Sequence, residues 1–256
     1  MDFSTLINKY QDTVEEYSEL ISGEAKVILS RGLVVCNNDE VKSPRLVLSG
    51  INPSYNPKHP EVAPFNFATA SGSYWRIKHK QFGGSGSLLV QNHIAYLDLF
   101  PVRERYQNVF EKAFLSYNEF RFRMASQTAD AIEQLQPRLI IHANKSSLYY
   151  WGLNPASFEM DNVNPWLGYH FTPVENNCPI LETYNIRVSN FRDENGLAIP
   201  LEKRYVHLLH MSGRGLSKPV YFLTYIMEYY GMKEWQKVQL LSADEMTELW
   251  EWCKAN

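Results

Sequence analysis

Leu46-Val47-Leu48-Ser49-Gly50-Ile51-Asn52-Pro53-Ser54 is the stretch on which the fold reading turns. Three aliphatic residues in a row, with no polar alternation, mark a strand buried on both faces, as in a parallel sheet. Gly50 permits a sharp turn and Pro53 stiffens the exit from it. Working outward, Ile94 to Phe100 repeats the pattern and stops at Pro101. A helix follows from Asn118 to Leu135, with apolar residues at helical spacing and a stop at Gln136-Pro137. Leu139 to His142 reads as a third strand, with a helical turn through Leu148 to Trp151. Tyr205 to His210 reads as a fourth. Pro219 then suits the first turn of a helix that Gly231 caps, and Ser242 to Glu245 is a capping box for a last helix. Upstream, Phe3, Leu6, Ile7, Tyr10, Val14, Tyr17 and Ile21 give an amphipathic helix over 3–21, ended by Ser22-Gly23. The polar stretch 152–200 reads as an inserted hairpin or loop.

Strand and helix alternate, so the expected fold is α/β: a single-domain, doubly wound sandwich over 1–256, with its core at about 44–230. Its central four-stranded parallel sheet would use 45–49, 94–100, 139–142 and 205–210. Ligands bind such sheets beyond the carboxyl ends of the strands. The turns after the four strands are therefore the places to look for chemistry.

Composition narrows the class. The chain has 256 residues, 45% of them hydrophobic and 21% charged, which is globular rather than disordered. Three scattered cysteines, Cys36, Cys178 and Cys253, encode no CxxC zinc or iron–sulfur site and fit a reducing cytoplasm. No metal or other cofactor and no membrane partner is expected. The net charge of −3 argues against a polycation that coats nucleic acid, though not against a local basic groove. Aromatics reach 14%, and most belong in a core.

Each turn offers a functional and a plain reading. Asn52 presents its amide at the first turn, or is an Asx-turn residue. Phe67, in Pro64-Phe65-Asn66-Phe67-Ala68 with Tyr74-Trp75 beyond it, stacks on a planar base, or fills the core. Asp98 is costly to bury in an apolar strand unless paired. It takes hydrogen bonds from a ligand, or pairs with a neighbour such as Arg103. His142-Ala143-Asn144-Lys145 follows the third strand. Its histidine is a packing residue, and Lys145 suits a phosphate or is solvated surface. His210-Met211-Ser212-Gly213-Arg214-Gly215-Leu216-Ser217-Lys218 combines a histidine, hydroxyls, glycines and cations that suit an anion. The loop Phe82 to Ser87 lacks the GxxxxGK[ST] pattern of a phosphate-binding loop and reads as a mobile loop. No GxSxG elbow points to an α/β-hydrolase.

Together these pieces resemble the uracil-DNA glycosylase superfamily, over roughly residues 44 to 230. Gly50-Ile51-Asn52-Pro53 is similar to the first motif as the mismatch-specific uracil and thymine glycosylases carry it. Phe67-Ala68, with Trp75 eight residues past Phe67, resembles their base-stacking segment. Tyr96 to Arg103 resembles the strand that reads the flipped base, and Gln136 to Ile141 the third strand. His210-Met211-Ser212 resembles the second catalytic motif, with Met211 in place of the usual proline. The missing cysteine set excludes the iron–sulfur branch. The resemblance implies a monomeric DNA glycosylase that flips a nucleotide out of double-stranded DNA and leaves an abasic site. Asn52 would position water and His210 would stabilise the departing base. Ile51, Phe67, Asp98 and Asn144 would contact that base. Ser54, Lys145, Ser212 and Lys218 would hold phosphates, and Arg214 would wedge into the duplex.

Asp98 departs from the resemblance, because uracil-reading members have asparagine there. An ionised carboxylate only accepts hydrogen bonds. It opposes uracil O4 but suits the N4 amino group of cytosine. A glycosylase for ordinary cytosine would destroy its own genome, so the expected substrate is a modified cytosine, and phage defence is a fitting role. Three other readings stay open: an ordinary uracil or mismatch repair glycosylase, an inactive member that binds nucleic acid, and a nucleotide-binding α/β protein of unrelated activity.

Overall fold

The computed structural model describes residues 2–61, 64–142, 147–153, 166–174, 178–182, 196, 206–225 and 241–256. The class is α/β, built on a six-stranded mixed sheet of order β2-β1-β3-β6-β5-β4. The strands are β1 (Leu46–Gly50), β2 (Ile94–Asp98), β3 (Leu139–His142), β4 (Tyr169–Pro173), β5 (Val206–Gly213) and β6 (Val220–Tyr225). β2, β1, β3 and β6 run parallel, with Ile94, Leu46, Leu139 and Tyr221 in one row across them. β5 and β4 extend the sheet antiparallel.

The fourth parallel strand therefore corrects the sequence reading. It is Val220–Tyr225, expected as a helix, and not Tyr205–His210. Val220-Tyr221-Phe222-Leu223-Thr224-Tyr225 is β-branched or aromatic at every position but Leu223, which favours a strand. Pro219 precedes its first residue, where a missing N–H costs the ladder nothing. Gly213 at φ 103° and Arg214 at φ 44° make the turn that reverses the chain, so β5 pairs back against β6. The cap expected at Gly231 lies outside the described residues. Within 152–200 the described residues include β4, which pairs with β5.

Helices cover both faces. On one face α1 (Phe3–Glu16), α2 (Gly23–Leu29), α5 (Gln107–Ala113), α6 (Asn118–Leu135) and α7 (Leu148–Trp151) pack over Val47, Ala95, Leu97, Ile140 and Phe222. On the other, α3 (Ser73–Lys80), α4 (Leu88–Asn92) and α8 (Ala243–Ala255) face Leu48, Tyr96, Ile141 and Leu223. α1 begins at an Asp2 cap and docks on α6 through Tyr10, whose hydroxyl meets Thr128 Oγ1 at 2.5 Å. It stops at Glu16, short of the expected 21, although Tyr17 and Ile21 remain buried after the helix has ended. α6 has the expected bounds, and α8 carries the expected Ser242–Glu245 capping box.

Candidate functional site

The turn after β1 is fastened to the chain that follows β2. The Gly50 carbonyl accepts from Leu99 N at 3.0 Å, the Ile51 carbonyl from Phe100 N at 2.8 Å, and the Pro53 carbonyl from Glu104 N at 3.0 Å. Asn52 adds to this zipper, its Nδ2 donating to the Glu104 carbonyl at 2.8 Å and to the Pro53 carbonyl at 3.2 Å. Its Oδ1 takes no hydrogen bond from any described residue. The fixed amide thus offers an acceptor at the carboxyl end of the parallel strands.

There a small cleft of about 170 Å³ opens, walled by Asn52, Tyr74, Lys78, Tyr96 and Asp98 around the Gly50-Ile51 backbone. Register explains the convergence. Gly50 lies beside Asp98 across the β1–β2 ladder, and Leu48 beside Tyr96, so Tyr96 and Asp98 share a face of β2. Tyr74 and Lys78 stand one helical turn apart on α3. A Cβ on Gly50 would come within 2.1 Å of Asp98 Oδ1 and 2.9 Å of the Tyr96 hydroxyl. Glycine is required here by that close approach, not by backbone angle.

Asp98 is the electrostatic centre. Its Oδ1 accepts from the Tyr96 hydroxyl at 3.0 Å. Burial pushes its carboxyl up to about 7, against the opposing pull of the Tyr96 hydrogen bond and the Lys78 charge. Burial lowers the Lys78 ammonium in turn, and Asp98 opposes that. Burial also raises the Tyr74 hydroxyl, with the Asp98 charge adding to it. The group is therefore not the fixed acceptor that the sequence suggests. Near neutrality it exists both as a carboxylate, which only accepts, and as an acid, which donates and accepts. Arg103 is not its partner: that guanidinium donates to the Pro60 carbonyl at 2.7 Å and the Arg31 carbonyl at 3.1 Å.

Of the residues singled out in the sequence, Asn52, Ile51 and Asp98 meet in this cleft. Ser54 sits exposed two residues further along the same turn. Phe67 does not reach the cleft wall. Its ring is 1% exposed, lies parallel to Tyr96 at 6.2 Å, and meets Trp75 and His79 edge-on. It is a core ring that backs Tyr96, and the exposed aromatic ring in the cleft wall is Tyr74. His142 is likewise a packing residue, buried against Trp151 and Phe222 with Nε2 2.6 Å from Ser147 Oγ. Asn144 and Lys145 lie outside the described residues.

His210, Ser212, Arg214 and Lys218 stand elsewhere. His210 pairs with Tyr221, which pairs with Leu139, which pairs with Leu46. That row is at the amino end of the parallel strands. Asn52 lies beyond their carboxyl end, which Gly50 marks four strand residues or ~13 Å along the sheet from Leu46. Arg214 is no wedge: its guanidinium reaches Asp130 Oδ1 at 2.6 Å, Glu133 Oε1 at 2.8 Å and the Leu167 carbonyl at 3.1 Å. The motif was misplaced because β5 runs antiparallel. His210 and Ser212 lie within β5, whose direction carries them to the amino end of the parallel strands.

Sequence reasoning missed Lys78 and the role of Tyr96. Both had a signal: Tyr96 shares alternation with Asp98, and Lys78 follows Tyr74 at helical spacing. α3 also carries Arg76, His79 and Lys80 and no acidic residue. Arg76 and Lys80 face a neighbouring groove with the backbone of Ser71 to Ser73. Among the described residues no cluster of three potential metal ligands occurs, and no helix is long and apolar enough to cross a membrane. No protein-family model, curated protein or solved structure matches the chain.

Proposed function

We propose that the carboxyl-end cleft receives a flipped cytosine-type nucleotide of DNA and hydrolyses its N-glycosidic bond, leaving an abasic site. The observation that carries this reading is the buried Asp98 carboxyl inside a base-sized cleft, with the unengaged Asn52 carbonyl oxygen in the same wall. The motif resemblance of Gly50 to Pro53 and Tyr96 to Arg103 supports it.

The chemistry runs as follows. Tyr74 stacks on the base. The Asp98 carboxylate accepts from the exocyclic amino group, and that donor favours the ionised form of Asp98. Asn52 Oδ1 accepts a hydrogen bond from a water molecule and directs its oxygen at C1′. The C1′–N bond breaks through an oxocarbenium-like state, and its electron pair leaves with the base. Lys78 supplies positive charge in the cleft as the base becomes negative. The water oxygen bonds to C1′ and its proton passes to solvent. His210 has no part in these steps. Arg76 and Lys80 on α3 take the phosphate contacts first assigned to Ser212 and Lys218. A modified cytosine remains the proposed base, and defence against DNA that carries it the proposed role.

One observation favours a second reading. The expected second motif lies away from the cleft, and a protein that binds a base without cleaving it needs no such motif. Incubation of the protein with oligonucleotides carrying uracil, cytosine, or hydroxymethylated or glucosylated cytosine, followed by alkaline cleavage, separates the two. Strand breaks at a cytosine derivative are expected. Binding without breaks on any oligonucleotide supports the second reading.

A further inference from the structure

The side-chain pattern of β5 changes character along its length. On the face that α8 covers, Leu208 is buried apolar packing, but the next residues on that face are His210 and Ser212. Thr172, His210 and Tyr221 form one row across β4, β5 and β6, so their side chains share that face. Above them is a second cleft, of about 590 Å³, at the amino end of the sheet. Arg138, just before β3, Lys218 and Asn256 complete its polar wall. No acidic side chain lines it.

These donors are unspent. Arg138 is half-buried, and its guanidinium makes no hydrogen bond or ion pair with any described residue, in contrast to Arg214, Arg31 and Arg123, each held by a carboxylate. The side chains of Lys218, Ser212 and His210 likewise have no hydrogen-bond partner among the described residues. His210 rests on the Tyr221 ring at 4.9 Å, which fixes its plane. A half-buried guanidinium without an acceptor is costly, and an anion would relieve that cost. Two cations, hydroxyl donors and an imidazole converge as they would around tetrahedral oxyanions, where charge-assisted bonds are strongest.

We propose that this amino-end cleft is a separate binding site for a phosphate group, held by Arg138 and Lys218 with Ser212 and His210. The proposal does not rest on the glycosylase reading, since neither Asn52 nor Asp98 belongs to the cleft.

Calorimetric titration of the intact protein with inorganic phosphate, and with deoxycytidine monophosphate, tests it. Saturable binding of inorganic phosphate is expected, with a Kd of about 1 mM or tighter. Arg138→Gln is expected to weaken it about tenfold, as loss of one charge-assisted contact does. Lys218→Gln changes an exposed residue and keeps the test valid if the Arg138 variant fails to fold. It is expected to weaken binding about threefold. Tighter binding of the nucleotide, lost with the same variants, assigns the phosphate to a nucleotide. Equal affinity assigns it to the free ion. The proposal is overturned if inorganic phosphate does not saturate, or if its affinity is unchanged in both variants.

Discussion

Asp98 concentrates the cost and the chemistry of the cleft in a single carboxyl. Held at about 7 in the folded protein against an ordinary 3.8, it retains its proton on folding between those values. Its neutral form is then the better accommodated one, so its contribution to stability is full below pH 3.8 and is lost as pH rises towards 7. Three pH units correspond to at most about 4 kcal/mol. Asp98→Asn keeps an acceptor for the Tyr96 hydroxyl and removes the charge. The variant should therefore unfold at a higher temperature than wild type at pH 8, with a smaller difference at pH 4. An equal difference at both values contradicts the account. Gly50→Ala should destabilise by about 1–3 kcal/mol, because its methyl displaces Asp98 and Tyr96. Chemical denaturation measures it. The sequence made Asp98 and Asn52 visible, since a carboxylate in an apolar strand and an asparagine in a Gly-Pro turn are both anomalies. It could not show the ionisation of Asp98, which depends on how deeply five other segments bury it.

α3 and the aromatic cluster beneath it set what the cleft presents. Phe67 supports Tyr96 from within the core, so Phe67→Ala should cost about 3–5 kcal/mol of stability. Tyr74 is 52% exposed, and Tyr74→Ala should leave the melting temperature nearly unchanged while weakening oligonucleotide binding. The opposite pattern in a paired melting and binding measurement would restore Phe67 as the stacking ring. At this scale β1, β2, β3 and α6 were legible because aliphatic runs and helical periodicity are local signals. β5 and β6 were not. A proline before Val220 fits a helix start as well as a strand start, and only the reversal at Gly213-Arg214 decides between them. That reversal inverts the direction of β5, and it carried His210 from the expected site to the other end of the sheet.

Across the whole molecule, the chain is acidic at a net charge of −3, yet α3 brings three cations beside the cleft without an acid among them. DNA affinity should therefore fall steeply with salt. Arg76→Ala and Lys80→Ala should each reduce the slope of log affinity against log salt by about one. Arg214→Ala should destabilise the fold, since it frees Asp130 and Glu133, but leave that slope unchanged. On the proposed function, base chemistry belongs to the carboxyl end of the sheet and not to the end that holds His210. Single-turnover base release by Asn52→Ala, Asp98→Asn and His210→Ala, on one cytosine-derivative oligonucleotide, measures this most directly. The account predicts that Asn52→Ala and Asp98→Asn lose at least about a hundredfold in rate, as removal of a transition-state hydrogen bond does, while His210→Ala keeps wild-type rate. A comparable loss in His210→Ala, with Asn52→Ala unimpaired, would contradict it.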